Sequence, residues 1–110
     1  MNSNAAESFS PSEVKEISPL FLKELLRSQE EFQLIDVREI SEREELSIGG
    51  EWIPFDEVMS RADEIARDMK VVFYCKMGLR SYILIQRLQE KFGFRNLYNL
   101  KGGVVSFMSK

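Results

Sequence analysis

The chain has 110 residues, 44% hydrophobic and 30% charged, with a formal net charge of −3, which fits one globular domain and argues against a surface wholly committed to nucleic acid or anionic membrane. Its single cysteine excludes an internal disulfide, and with no histidine there is no thiolate-rich or imidazole-based metal site; a carboxylate-only site for a hard cation stays open, but no EF-hand-like loop appears and no metal ligand is assigned. No apolar run approaches the roughly 20 residues needed to span a bilayer, and "MNSNAAESFSPSEVK" lacks a basic segment followed by an apolar one, so the expected location is the cytoplasm.

Residues 1–12, rich in Ser, Asn and Ala, are expected to form a loose tail, and residues 13–110 a single domain. "ISPLFLKELLRSQEEF" reads as a helix with Ser18 as N-cap and Pro19 at the first helical position, carrying Leu22, Leu25 and Leu26 on one face. "FQLIDVR" reads as a short strand, and in the charged stretch "EISEREELSIGG" after it two glycines mark a turn. "EWIPF" is expected to give a second short strand, stopped by Pro54. Residues 55–69 carry Phe55, Val58, Ala62, Ile65 and Ala66 at helical spacing.

"VVFY" is a nearly continuous apolar run, as expected of a strand buried on both faces of a parallel sheet. The helix after it groups Leu84, Ile85, Leu88 and Phe92, and Gly93 stands where such a helix ends. "FRNLYNLKGG" supplies a last strand and a glycine turn, and "VVSFMSK" leaves room for a final helix of only a turn or two. Alternating strands and helices of these lengths predict an α/β domain: a central, mainly parallel sheet of about five strands with helices on both faces. Ligands of such folds bind at the carboxyl ends of the strands, where Cys75 is expected.

A lone free cysteine is most often a small buried hydrophobe. Cys75 differs by position, because it ends an apolar run and precedes a short turn containing Gly78 and a helix beginning near Arg80 or Ser81. Such a turn can aim successive backbone N–H groups inward as an anion-binding nest, and the helix N-terminus adds partial positive charge. Lys76 and Arg80 add full charges, and all these influences favour thiolate over thiol. Taken singly, Lys76 reads as a solvated lysine, Arg80 as a helix-end ion-pair partner, Gly78 as a turn residue, and Ser81 as an N-cap or a hydroxyl donor to an anion. With no histidine there is no Cys-His pair for protease-like acyl transfer, so the expected reaction is one a thiolate performs unaided.

Four segments together resemble the rhodanese family over about residues 17–110: "LIDVRE" at 34–39, "IGGEWIPFDEV" at 48–58, "VVFYCKMGLRS" at 71–81 and "NLKGG" at 99–103. The resemblance implies a small α/β domain with a central parallel sheet, and sulfur transfer through a cysteine persulfide with no cofactor. Cys75 would accept sulfane sulfur from a donor such as thiosulfate or a persulfide. Lys76, Met77, Gly78, Leu79 and Arg80 would form the loop whose amides hold it, with Ser81 closing the loop. Asp36 and Arg38 would be supports tying the first strand of the motif to neighbouring loops. A small sulfur-containing anion, a cysteine desulfurase or a small sulfur-carrier protein are the partners this implies. Two other readings compete: a non-catalytic binding or sulfide- and redox-sensing module, in which the cysteine is typically replaced, and a phosphatase or arsenate reductase of related fold. The latter carry five residues between cysteine and arginine, whereas Lys76 to Leu79 are four, a tighter cradle that suits a persulfide sulfur.

The chain departs from the family pattern in two places. The histidine common before the "IP" segment is replaced within "ELSIGGEWIP", which looks like the variants fused to adenylating enzymes of thiamine or molybdopterin pathways. Phe107 stands where tryptophan is frequent, and the short final helix would leave one side of the loop open, which suits a protein acceptor such as a carrier with a glycine-glycine tail. Trp52 and Phe55 are expected to pack in the core ahead of forming a docking rim.

Overall fold

Ser18 does what its position before Pro19 predicts: its hydroxyl accepts the Phe21 N–H at 3.1 Å and starts helix α1, Pro19–Arg27. Leu22 and Leu25 are buried on the inner face of α1, whereas Leu26 is nearly half exposed. The computed structural model describes residues 10–109, so most of the expected tail lies outside the described residues. The carbonyls of Pro11, Ser12 and Glu13 accept hydrogen bonds from Gln89 and Gln86 at 2.7–2.8 Å.

The sheet has five strands: β1 (Lys15–Ile17), β2 (Phe32–Asp36), β3 (Glu51–Trp52), β4 (Lys70–Tyr74) and β5 (Leu97–Leu100), in the order β1-β5-β4-β2-β3. Every pairing is parallel. β4 is central, and alternation divides its side chains between two cores. Val71, Phe73 and Cys75 pack with Ile35 and Leu97 under Leu84, Ile85 and Leu88 of helix α4 (Leu79–Phe92), while Val72 and Tyr74 pack with Leu22, Leu25 and Val104 on the other face. Full burial of each large side chain contributes about 1.5–3 kcal/mol. Gly93 closes α4 in the left-handed region at φ 73°, as the sequence predicts.

Three segments differ from expectation. β1 carries no legible alternation, because only Ile17 of its three residues is buried. The charged stretch after β2 holds a helix, α2 (Ile40–Glu45), in which Glu39 and Glu42 form a reciprocal capping box and no residue is buried. Residues 55–69 do not make one helix: α3 spans Phe55–Val58, a 3-10 segment covers Met59–Glu64, and Arg61 at φ −115° kinks it. The last helix, α5 (Gly103–Met108), is as short as predicted. No helix among the described residues is long and apolar enough to cross a membrane.

Candidate active site

Cys75 follows the last residue of β4, at the carboxyl end of the central strand. It is a free thiol and only 1% exposed. Gly78 adopts φ 93°, ψ −1°, which lets the chain reverse and start α4 at Leu79. A Cβ on Gly78 would also lie 3.1 Å from the Gly102 nitrogen and 3.3 Å from the Leu100 oxygen. The reversal turns backbone donors toward the sulfur: the Gly78 N–H lies 3.1 Å from Sγ, the Ser81 N–H 3.5 Å, and the Ser81 hydroxyl 3.3 Å. The positive end of the α4 dipole is added to these donors.

The double glycine of "NLKGG" seats α5 against the base of this loop. The Val104 N–H donates to the Cys75 carbonyl at 2.9 Å, and the Val105 N–H to the Lys76 carbonyl at 3.1 Å. Gly103, at φ 66°, makes that approach possible, since a Cβ there would sit 2.6 Å from the Cys75 oxygen and closer still to that of Lys76.

The two cations of the loop are placed differently. Both terminal nitrogens of Arg80 bond the Glu42 carboxylate, at 3.1 and 3.0 Å, so this charge is engaged across the cleft with α2. Its hydrogen bond to Arg80 holds Glu42 below the usual carboxylate range, and the same bond raises Arg80 above the ordinary guanidinium value. Lys76 is exposed and borders two depressions. One, of about 230 Å³, opens over Cys75 between Lys76, Met77, Leu79 and Arg80; the exposed side chains of Met77 and Leu79 make its rim apolar. The other is a groove of about 330 Å³ flanked by Leu46, Val105 and Met108.

Asp36 and Arg38 meet at the end of β2. Arg38 donates from Nε and Nη2 to the two Asp36 oxygens at 3.0 and 2.9 Å, and from Nη2 to the Leu46 carbonyl at 2.6 Å. Arg43 of α2 adds a bond to Asp36 at 3.1 Å and one to the Gly50 carbonyl at 2.8 Å. Burial opposes the charge on Arg38, but hydrogen bonding to Asp36 and the charge of that carboxylate hold it above its ordinary value. Burial also pushes the Tyr74 phenol up, and its hydroxyl donates to the Gly49 carbonyl at 2.8 Å. Trp52 is half-buried, with Nε1 donating to the Arg38 carbonyl at 2.8 Å, and Phe55 packs on the core under α4.

Loop residues 75–81 thus come together around one sulfur, while Asp36 and Arg38 form a separate buried cluster beside it, joined through α2. Three participants have no signal of their own in the sequence reading: Glu42 and Arg43, hidden in a charged stretch, and Asn99, a polar residue inside an apolar strand. A strand polar residue between buried neighbours needs hydrogen-bond partners, which is the signal that could have singled out Asn99.

The family model of the rhodanese-like domain matches residues 18–110. YtwF of Bacillus subtilis, named for sulfur transfer, is 35% identical over 96 residues, covering 86% of this chain and 91% of its own. A sulfurtransferase of Allochromatium vinosum is 32% identical over 95 residues, covering 86% and 88% respectively. Among solved structures, a rhodanese-related protein of Thermoplasma volcanium superposes with a TM-score of 0.75 at 26% identity, over 86% of this chain and 90% of that one.

Proposed function

From the premise that the chain belongs to the rhodanese-like domain family, whose model matches residues 18–110, we propose that it is a sulfurtransferase that carries sulfane sulfur as a persulfide on Cys75. The observation that carries this reading is the set of backbone donors at Sγ, with the Gly78 N–H at 3.1 Å and the Ser81 N–H at 3.5 Å, around a cysteine only 1% exposed at the floor of an open depression. Donors fixed by the backbone need no reorganisation when an anion forms, which is the condition for electrostatic stabilisation of an intermediate.

In the first half-reaction the Cys75 thiolate attacks the outer sulfur of thiosulfate. The new S–S bond takes the place of the bond to the sulfonate group, and sulfite leaves with the electron pair. In the second, a nucleophilic acceptor attacks the terminal sulfur, the S–S bond breaks, and the thiolate is restored. Cyanide is the simplest acceptor, leaving as thiocyanate; a low-molecular-weight persulfide or a protein sulfur-transfer partner fits the same chemistry as donor. Lys76 and Arg80 both line the opening, and with Arg80 paired to Glu42 the role of the exposed Lys76 is to attract the anionic donor.

Steady-state turnover of thiosulfate and cyanide by the wild type and Cys75→Ser tests the proposal. Loss of turnover in a variant that keeps its circular dichroism spectrum and melting temperature is the expected result. Retained transfer by purified Cys75→Ser would remove Cys75 from the reaction.

A further inference from the structure

Asn99 lies on β5, between Phe73 of β4 and Glu16 of the edge strand β1 in register, and is 1% exposed. Its Nδ2 donates to the Gly78 carbonyl at 3.0 Å and to a Glu16 carboxylate oxygen at 3.0 Å. Both partners only accept, so the amide has one orientation that satisfies them, with Oδ1 turned to Ser81. The Ser81 hydroxyl makes a short hydrogen bond to that oxygen and also lies 3.3 Å from Cys75 Sγ. One hydroxyl proton cannot serve both acceptors fully, and the shorter approach is to Asn99.

We propose that Asn99 is a positioning residue for the chemistry of Cys75. It grips the carbonyl of Gly78, whose peptide plane is joined through the Gly78 Cα to the plane that carries the N–H at the sulfur, and so restrains the turn that aims the nearest amide donor. It also holds the Ser81 hydroxyl in place, with Glu16 anchoring the amide from the edge strand. The sulfur is then organised by a line of groups running from the sheet edge, through Asn99, to the middle of the loop at Gly78 and its close at Ser81. The inference rests on the reading of Cys75 as the reacting sulfur and names the group behind the loop that keeps it set.

The test is the rate of Cys75 alkylation by iodoacetamide at a fixed pH, followed by intact mass, which requires no sulfur donor. Asn99→Asp, similar in shape but unable as a carboxylate to donate to Gly78, is expected to react about tenfold more slowly, the scale of one hydrogen bond to a charged group. Asn99→Ala is expected to fall in the same direction, Glu16→Ala about threefold, and Ser81→Ala, which keeps its amide, about threefold.

Gln89→Leu is the control, because Gln89 is buried on α4 and its side chain, among the described residues, donates to the carbonyls of Pro11 and Glu13, away from Cys75. It is expected to lower the melting temperature and leave alkylation at the wild-type rate. In thiosulfate loading, Asn99→Asp is expected to lower the maximal rate about tenfold with half-saturation unchanged. Should Asn99→Ala fail to fold, Asn99→Asp and Glu16→Ala carry the same reading. Wild-type alkylation rates in folded Asn99 variants, or equal slowing in Gln89→Leu, would overturn the inference. A wild type that alkylates normally but takes up no sulfur would instead count against the sulfurtransfer reading, leaving the Asn99 comparison intact.

Discussion

The Cys75 loop surrounds one sulfur with backbone N–H groups, whereas the corner after β2 surrounds one carboxylate with guanidinium side chains. Both lie at the carboxyl edge of the same sheet, and Glu42 and Arg43 of α2 reach one each. The loop depends on φ and on the absence of Cβ atoms, so its weak points are glycines. The corner depends on charge balance in a buried place, so its weak points are ionisable residues. Function is proposed for the first and support for the second, and substitution can separate the two.

The largest stability effect is expected at the corner. Asp36→Ala leaves Arg38, 3% exposed, without its buried partner, and urea unfolding should show a loss of about 3–5 kcal/mol. The folded fraction should still take sulfur on Cys75; loss of loading with unchanged stability would reverse the roles assigned to the two regions. Gly78→Ala should show the opposite balance. A left-handed φ costs a residue with Cβ about 1–2 kcal/mol, but the displaced amide should slow sulfur loading about tenfold or more in a stopped-time mass assay.

Glu42→Gln probes the link between the regions. As a partly exposed pair, Glu42–Arg80 is worth about 0–1 kcal/mol, so the melting temperature should barely move. Freed of its carboxylate, Arg80 should lower the half-saturating concentration of thiosulfate by about two- to threefold; an increase would mean that the pair itself shapes the donor site. The smallest effect is in acid. Glu42 is depressed by Arg80 in the folded state, so its stabilising contribution is complete above the unfolded carboxylate value of about 4.3 and disappears as pH falls through the lower folded value. The urea-midpoint difference between wild type and Glu42→Gln should therefore shrink on going from neutral pH into that acid range, and a constant difference would contradict the pairing.

The parts of the fold legible in the sequence are those where one local rule decides. Ser18 before Pro19, the apolar run ending at Cys75, and Gly93 after the stripe of Leu84, Ile85 and Leu88 each carry their own signal. β1 and α2 carry none, because β1 buries a single side chain and α2 buries nothing; both exist through pairing and capping with distant or polar groups. The segment after Phe55 misleads in another way. Its apolar residues sit at helical spacing, yet the kink at Arg61 divides it, and Arg61 bonds both Glu57 and Glu64 across the break. In the site, the loop around Cys75 follows from adjacent residues, but the engagement of Arg80 by Glu42 and the grip of Asn99 on Gly78 join positions 38 and 21 residues apart. Such contacts depend on the sheet order and are invisible to spacing.

The most direct measurement is intact-protein mass after incubation with thiosulfate or with a low-molecular-weight persulfide, for the wild type and Cys75→Ser in parallel. A gain of one sulfur atom is expected in the wild type alone, removed by dithiothreitol, as a persulfide on Cys75 requires. No gain with either donor in folded wild type, or an equal gain in Cys75→Ser, would contradict it.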